Sequence, residues 1–518
     1  MTDGGVKNHT RDIWSAENKV LAFFLLVACL SKLLFLTDIS FWLDEQISIA
    51  IAMEGPVGCV PAALRFSSHP PSYYCQLGIW TVLSKSDFWI MANAIFLNMV
   101  AVLVLFQTTR KRYGLNIALF AALSLALLPQ FTYYAANVRM YSWIIIFSVL
   151  SWYLTEQVFD TSKKPDIKRV SKLLRWRALC MFLLGYAHGI GPVYAVMQAV
   201  YAFWLALGGR DRKVSWKWFW YEAGTGLLLV PAVINSAFRE TQHQNTESGS
   251  ELATLFAQNF ASDLIPVSLY GGIAILIAVF TLGLTLIVSK EKQDLKRTLV
   301  LIYGQILLFI IISLAWKPIL SSRGLVVVLP AFCLLVAVAY SRLKMDQRLK
   351  AVLMAGWFGL LGAGSFYVLT EYDKPNDYAG VASDMRNQVQ DGDDIYVYAG
   401  ATHWGMAREL LGPDWESPLT VQAPANERWQ GLEAALGNYC HTLMICAKRN
   451  HYDWQQNRVY VFHNTMKIAP AANRVWLIHN AGQEVAYFEE QLQHRGYQLR
   501  YEQNHDAELI RLFEQKAF

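Results

Sequence analysis

The stretch RWRALCMFLLGYAHGIGPVYAVMQAVYAFWLALGGRDRK, residues 175–213, decides how the chain is threaded through a membrane. Its centre is apolar for about 30 residues, which exceeds one ordinary membrane helix. Arginine and lysine flank it at both ends, and such residues collect on the cytoplasmic side of a membrane. Two short helices return the chain to its starting side. We therefore predict a helical hairpin within 176–207 that turns near His188 and Pro192.

The composition of the whole chain also requires a bilayer. Hydrophobic residues make up 54% of the 518 residues, charged residues make up 16%, and the mean hydropathy is +0.25. A soluble globular protein usually carries about a quarter of charged residues. Runs of roughly 20 apolar residues, each long enough to cross a bilayer, occur on both sides of the hairpin. These predicted spans are 20–37, 87–108, 114–131, 141–158, 216–234, 269–289, 298–316, 324–341 and 351–369.

Charge at the span ends predicts the orientation. With the hairpin counted as two spans there are about eleven crossings, and the N-terminus is cytoplasmic. The connections then assigned to the cytoplasm hold 22 Lys and Arg, whereas those on the external side hold six. A single crossing at the hairpin would invert everything downstream. We predict a multi-pass protein of a bacterial inner membrane. The cytoplasmic connections are 109–113, 156–177, 208–217, 290–297 and 342–350, and the external residues are Arg65, Lys85, Arg139, Arg239, Lys317 and Arg323.

The charge balance changes after the last predicted span. Residues 1–370 carry 32 Lys and Arg against 20 Asp and Glu, whereas residues 371–518 carry 13 against 20. Positive charge beside apolar spans reflects membrane orientation, so we expect no nucleic-acid partner. We predict an α-helical membrane domain over 1–370, with a first external loop at 38–86, and a small external (periplasmic) α/β domain over 371–518. Short apolar runs that indicate strands lie at 393–400, 458–464 and 474–479, and a polar helix is predicted at 484–494.

The seven cysteines give no metal or redox motif. Cys29, Cys180 and Cys333 lie in apolar runs, which is typical of small core residues, and no CxxC or Cys/His spacing occurs. Cys440 and Cys446 would lie in the external domain. In an oxidising compartment they either pair or remain two buried thiols. We predict no metal site, although a divalent ion stays open.

The predicted spans contain few ionisable groups. The candidate functional residues lie instead at the ends of spans, on the predicted external side. Asp44 follows the apolar FWL of DISFWLDEQISIA, which would hold its carboxylate at the membrane interface. Partial desolvation makes a carboxylate a better base. Alternatively, Asp44 and Glu45 only cap the helix that follows, since acidic side chains favour a helix N-terminus.

Two histidines lie on the same side. In HPPSYY, residues 69–74, the prolines fix a turn that leaves His69 ahead of it and Tyr73 behind it. The alternative is a structural turn within an aromatic belt. His188 lies at the predicted hairpin tip, where it is either a proton carrier or metal ligand, or a polar group at a helix end.

Arginine supplies the positive charge at this face. Arg139, in YYAANVRMYS, offers a guanidinium that can fork two hydrogen bonds to a phosphate. Arg323 offers a second cation, and either arginine could instead be a snorkelling interfacial residue. The tyrosines expected to pack a lipid chain beside Arg139 are Tyr133, Tyr134 and Tyr141.

In order along the chain, FWLDE, HPPSYY, YYAANVRMYS, the histidine-tipped helix pair and SSRGLVVVLPAFCLLVA resemble the GT-C integral-membrane glycosyltransferases. This group includes protein O-mannosyltransferases and lipid A aminoarabinose transferases. The segment NDYAGVASDMRNQVQDGDDIYVY, residues 376–398, is also similar to bacterial members. The resemblance covers nearly the whole chain. One departure is Asn137, where many relatives have an acidic residue.

The resemblance implies a polyprenyl-phosphate sugar donor and a lipid, polysaccharide or protein acceptor of the cell envelope. Asp44 would be the general base and Glu45 would assist it, while Arg139, with Arg323, would stabilise the departing phosphate. A single in-line displacement would invert the anomeric centre.

Two other classes remain open. A transporter or flippase of lipid-linked sugars would have inverted repeats and charges near the bilayer midplane. A noncatalytic assembly subunit would use its external domain to bind an envelope partner and would tolerate substitution of Asp44 and Arg139.

Overall fold

The computed structural model describes residues 16–36, 41–67, 69–160, 166–208, 212–238, 300, 304–309, 311–312, 322–371, 377–398, 401–412, 451–454, 456–462, 470–480, 485–505 and 508–515. The predicted span 269–289 lies outside the described residues, as do Cys440 and Cys446. The predicted span 298–316 lies outside them in large part.

Apolar helices build the first part of the chain. Residues 304–309 and 311–312 are helical as well, and a 3₁₀ turn covers Ser322–Val328. The helices are α1 (Ala16–Leu36), α2 (Leu43–Met53), α3 (Gly55–Phe66), α4 (Ser72–Trp80), α5 (Asp87–Tyr113), α6 (Leu115–Ala126), α7 (Pro129–Ala135), α8 (Tyr141–Asp160), α9 (Ile167–Gly185), α10 (Ile190–Gly208), α11 (Arg212–Phe238), α12 (Leu329–Arg342) and α13 (Gln347–Glu371).

Several of these helices have the length and composition of membrane spans. Within the described residues, four qualify: α5, α8, α10 and α13. Helices α6 and α7 meet at a bend of 60° and together make a fifth. The multi-pass architecture is therefore confirmed. The count of about eleven spans includes undescribed segments and stays a prediction.

The predicted division of this stretch into two helices is confirmed, although the first helix begins at Ile167 and not near residue 176. Helices α9 and α10 each contain 19 residues. At ~1.5 Å per residue each is about 28 Å long. Helix α10 also has the composition of a membrane span, whereas a crossing by the basic helix α9 stays a prediction. The turn between them holds His188, whereas Pro192 lies in the first turn of α10, where a missing N–H costs no helical hydrogen bond. Gly191 lets the backbones approach closely, since an added Cβ would lie 2.6 Å from the Leu184 carbonyl oxygen.

The expectation that the spans contain few ionisable groups is wrong in two places. Lys32 of α1 is 2% exposed and donates to the Asn98 Oδ1 of α5 at 2.7 Å. Arg177 was counted among residues of a cytoplasmic connection, but it lies inside α9, where it is buried and paired with the buried Glu222 of α11. Arg177 also donates to Thr155 and to Gln198, at 2.6 and 3.1 Å. Both cations keep partners, as buried charges must.

The predicted first loop forms three short helices, α2 to α4, and contains a disulfide that sequence analysis did not anticipate. Cys59 of α3 and Cys75 of α4 are bonded, with their Cα atoms 5.4 Å apart. The loop is also tied to the hairpin. The backbone N–H of Ser72 donates to the Tyr186 carbonyl at 2.8 Å, and its hydroxyl donates to the Leu183 carbonyl at 2.9 Å. The start of α4 is thereby fixed beside His188.

The last part of the chain forms the expected α/β unit. Its helices are α14 (Tyr378–Gln388), α15 (Ala401–Leu411) and α16 (Ala486–His494), and its strands are β1 (Asp394–Tyr398), β2 (His451–Trp454), β3 (Asn457–Phe462), β4 (Arg474–Asn480), β5 (Tyr497–His505) and β6 (Glu508–Gln515). The sheet order is β2-β3-β1-β4-β6-β5, and β1 runs parallel to both β3 and β4. The strands predicted from apolar runs match β1, β3 and β4. Strands β2, β5 and β6 were missed.

Alternation along β4 explains why the sheet is covered on both faces. Trp476 and Ile478 pack in one apolar cluster with α14, whereas Val475 and Leu477 pack in a second cluster with α16. Successive strand residues point to opposite faces, so a continuous apolar run requires helices on both sides. Helix α15 packs against α14 and β1 of this unit and also directly against α2 of the first loop.

Candidate active site

The two adjacent acids of FWLDE have different surroundings. Glu45 is 0% exposed, and its carboxylate accepts the Trp42 N–H at 3.1 Å and the Val138 N–H at 2.6 Å. The first bond caps α2, and the second fixes the turn between α7 and α8. For Glu45 the capping interpretation is therefore right, and the residue positions two segments.

Asp44 keeps part of its carboxylate accessible. Its side chain is 26% exposed and lies 3.5 Å from Nη2 of Arg139, whose own side chain is only 5% exposed. Nη1 of Arg139 also donates to the Asp44 carbonyl at 2.9 Å and to the Ser48 hydroxyl at 3.0 Å. Ser48 lies one helical turn after Asp44, so both present the same face of α2 to the guanidinium. Arg139 therefore orients the Asp44 segment.

A third contact joins the same two segments. The Trp42 indole N–H donates to Asn137 Oδ1 at 3.1 Å, and the Asn137 amide donates to the Tyr133 carbonyl at 2.7 Å. An amide can accept from the indole and donate to the carbonyl at once, which a carboxylate could not do. Asn137, which stands where many relatives have an acidic residue, therefore has a structural hydrogen-bonding role.

Tyrosines of HPPSYY surround the guanidinium. Tyr73 and Tyr74 are buried and interact electrostatically with Arg139. The Tyr74 hydroxyl also lies 2.8 Å from the Ser67 hydroxyl. Burial raises the pKa of both tyrosines, and the nearby Arg139 offsets only part of that shift. Both hydroxyls therefore remain protonated and can donate hydrogen bonds.

The two candidate histidines meet. The rings of His69 and His188 are stacked, with centroids 4.2 Å apart and an interplanar angle of 25°. Nδ1 of His188 accepts the Ile190 N–H at 3.1 Å, so the neutral ring carries its proton on Nε2. The backbone N–H of His69 donates to the Ser67 hydroxyl at 2.9 Å. Through this backbone contact, the His69 segment is linked to Ser67 and Tyr74, and Tyr74 interacts with Arg139.

The tyrosines predicted to pack a lipid chain are mostly inside the protein. Tyr134 and Tyr141 are 1% and 4% exposed, and their rings are 4.2 Å apart. Tyr141 also lies 6.3 Å from the His188 ring. Only Tyr133, of these three, is partly exposed. Tyr134 and Tyr141 therefore support the site, and Tyr133 is the one of the three that presents a surface.

Two further predictions concern Arg323 and a metal site. Arg323 lies in the 3₁₀ turn, but its side chain is outside the described part of the chain. No three His, Cys, Asp or Glu side chains of the described residues converge as a metal-binding group. Sequence analysis missed Ser48 and Ser67. The only sequence signals for them are that Ser48 follows Asp44 by one helical turn and that Ser67 lies two residues before His69.

Chemically, the site combines a partly exposed carboxylate, a buried cation, two neutral phenols and an imidazole pair. A fixed cation keeps a neighbouring carboxylate ionised and oriented, which are two conditions for a general base. The cation and the phenols can stabilise negative charge that develops close by. This combination suits the transfer of a group from an anionic leaving group to a hydroxyl.

Residues 68–235 match the family model described as dolichyl-phosphate-mannose-protein mannosyltransferase. This segment contains His69, the tyrosines, Arg139 and His188. Comparison with curated proteins gives no match.

Two solved structures of one protein resemble the chain over nearly its whole length. ArnT from Cupriavidus metallidurans bound to undecaprenyl phosphate gives a TM-score of 0.59 at 12% identity, over 96% of this chain and 98% of that chain. The apo state of the same protein gives 0.58 at 10% identity with the same coverage. The archaeal oligosaccharyltransferase AglB from Archaeoglobus fulgidus gives 0.49 at 10% identity, over 73% and 59%. The resemblance predicted from sequence is confirmed: the chain is a multi-pass membrane protein with the GT-C glycosyltransferase fold.

Proposed function

We propose that this protein transfers a sugar from a polyprenyl-phosphate donor to a hydroxyl of an envelope acceptor, with Asp44 as the general base. The observation that carries the proposal is the ion pair between the partly exposed Asp44 and the buried Arg139. The fold and the family match support an enzyme of the glycosyltransferase type. The undecaprenyl phosphate bound to ArnT and the family description support a lipid-phosphate donor.

The proposed reaction is one displacement. Asp44 takes the proton of the acceptor hydroxyl as that oxygen bonds to the anomeric carbon, and the bond from this carbon to the phosphate oxygen breaks. The electron pair leaves with the polyprenyl phosphate, so the anomeric centre inverts. Arg139 holds Asp44 and places positive charge beside the leaving phosphate, with Tyr73 as a neutral donor. We assign Arg323 to the same phosphate and Tyr133 to its lipid chain.

We place the site on the external membrane face. The excess of Lys and Arg in the connections of the opposite side supports this orientation. The disulfide between Cys59 and Cys75 supports it independently, because such bonds persist in oxidising compartments. A donor presented at the periplasmic face of a bacterial inner membrane fits both observations.

The experiment compares wild type with Asp44→Asn in a transfer assay. Purified protein is incubated with labelled polyprenyl-phosphate sugars and membrane extract, with and without a divalent cation. We expect Asp44→Asn to lower kcat by about 100-fold or more, because the base is lost while the side-chain shape is kept. Glu54→Gln, an exposed carboxylate near the other end of α2, serves as the matched control. The anomeric configuration of the product tests inversion.

The same assay separates the competing classes. Lipid-linked sugar that crosses liposomes without covalent transfer would indicate a transporter. An inactive wild type that tolerates substitution of Asp44 and Arg139 in cells would indicate an assembly subunit. Transfer that Asp44→Asn leaves unchanged would contradict the proposed base.

A further inference from the structure

The C-terminal unit reaches the candidate active site through Arg408 of α15. This side chain is only 8% exposed and pairs with Asp87 at the start of α5. Its Nη2 also donates to the Lys85 carbonyl at 3.3 Å. The guanidinium carbon lies over the Phe41 ring, 5.4 Å from the centroid. One arginine of the C-terminal unit therefore contacts both ends of the first loop.

Phe41 begins the segment that carries the proposed base. Its side chain is 2% exposed, and its carbonyl accepts the Gln46 amide at 3.2 Å. Asp44 follows three residues later, in the first turn of α2. A shift of the Phe41 ring would therefore move the start of α2 and the carboxylate with it.

Helix α15 is firmly attached to its own unit. The Thr402 hydroxyl donates to the buried Glu508 carboxylate at 3.0 Å. At Gly405 the helix packs so closely on Tyr378 that an added Cβ would lie 2.6 Å from a ring carbon. Glu508 begins β6 and Tyr378 begins α14, so Arg408 projects from a helix braced by two other elements. It can transmit the position of the C-terminal unit to the loop.

We propose that Arg408 is a positioning residue, through which the C-terminal unit holds the segment Phe41–Asp44 in its working geometry. This inference rests on the proposed role of Asp44. A mostly buried guanidinium is costly unless it is paired, and a cation over an aromatic face adds attraction. Nη2 of Arg408 is paired with Asp87 and with the Lys85 carbonyl, and the Phe41 ring covers the guanidinium, so the docking contact and the loop geometry form together.

The test uses the full chain with Arg408→Gln, Arg408→Lys and the control Arg500→Gln. Arg500 is an arginine of the same unit whose ion pair, to Glu514, lies within the sheet. Two readouts are measured: transfer kinetics, and hydrogen exchange of the backbone amides in 41–48 and in β1 and β4. Exchange reports loop order without any need for activity.

For Arg408→Gln we expect faster exchange in 41–48, unchanged exchange in β1 and β4, and kcat about 10-fold lower with donor KM within about 2-fold. Arg408→Lys should restore part of kcat, because it keeps a cation near Asp87 and Phe41. Arg500→Gln should behave as wild type.

Unchanged exchange in 41–48 for a folded Arg408→Gln variant would overturn the inference. So would faster exchange throughout the sheet, since that would indicate a merely structural role. If wild type transfers no sugar but 41–48 still loosens selectively, the proposed function fails while the docking contact stands. If wild type is active and Arg408→Gln matches it in both readouts, the docking inference alone fails.

Discussion

At the scale of single residues, the two neighbouring carboxylates of the site differ in how deeply they are buried. The Glu45 side chain is buried, and each of its carboxylate oxygens accepts a hydrogen bond from a backbone N–H, so the carboxylate is not accessible to a substrate. Asp44 is partly exposed and is held by Arg139. A base has to reach its substrate, whereas a cap has to be buried against the backbone. The geometry therefore favours Asp44 for chemistry and Glu45 for position.

Glu45→Gln should destabilise the protein, because the Glu45 carboxylate accepts two backbone N–H groups. An amide can accept one of the two N–H groups, but its NH₂ would oppose the other and leave a buried donor unpaired. Such a loss costs about 1–3 kcal/mol. We expect a lower thermal unfolding temperature in detergent for Glu45→Gln than for wild type, and no change for the exposed control Glu54→Gln. Equal melting of Glu45→Gln and wild type would contradict the assignment.

Arg139→Lys should lower activity although it keeps the charge. One ammonium cannot match the planar fork that serves the Asp44 carbonyl, the Ser48 hydroxyl and the Asp44 carboxylate together. We expect kcat/KM to fall by about 10-fold to 100-fold. Arg348→Lys, at an exposed arginine of α13, is the control. A fully active Arg139→Lys would show that only charge matters here.

At the scale of elements, the α9–α10 hairpin presents His188 to the first loop. Its close crossing depends on Gly191, where a side chain would meet the backbone of α9. Backbone atoms cannot rotate away as a flexible side chain can. The separation of these two helices is therefore set by a missing Cβ.

Gly191→Ala should move α10 away from α9 and displace His188 from His69. We expect a lower thermal unfolding temperature and reduced transfer. Gly224→Ala in the adjacent α11 is a matched control, because an added Cβ there meets nothing within 4 Å. That control should leave activity unchanged. Similar behaviour of both alanine variants would show that the crossing has room to adjust.

The disulfide between α3 and α4 should stabilise the first loop. It closes a sequence separation of 16 residues, and a ring of that size contributes about 3 kcal/mol in the chain-entropy description. Reduction, or Cys59→Ser with Cys75→Ser, should lower the unfolding temperature and loosen the Tyr73 and Tyr74 segment. Reductant should have a smaller effect on the double variant than on wild type. An equal response of the double variant would point to another disulfide.

At the scale of the whole molecule, orientation determines which compartment supplies donor and acceptor. A membrane-impermeant maleimide should label Lys85→Cys in intact spheroplasts, and Lys168→Cys only after permeabilisation. The background carries Cys440→Ser and Cys446→Ser, because those thiols are predicted to be external. The reverse labelling pattern would place the candidate active site in the cytoplasm and contradict the proposed face.

Local sequence predicted many of the helices and strands of this fold. Apolar length and flanking charge predicted the hairpin, and apolar runs predicted β1, β3 and β4. Strand β5 was missed because exposed polar residues break its apolar pattern, and β6 was missed because Arg511 interrupts its short apolar run. The buried Lys32 and Arg177 were misjudged because their partners lie on other helices, and hydropathy cannot report a partner.

The sequence by itself determined that the chain is a membrane protein, where it turns, and which polar groups lie at one set of span ends. Hydropathy and charge are sums over neighbouring residues, so no fold is needed to evaluate them. Tertiary structure alone decided that Glu45 is buried against Val138, 93 residues away, and that Arg139 holds the carbonyl of Asp44, 95 residues away. It also decided that Cys59 pairs with Cys75. These features depend on distances between remote segments, which only the packed helices establish.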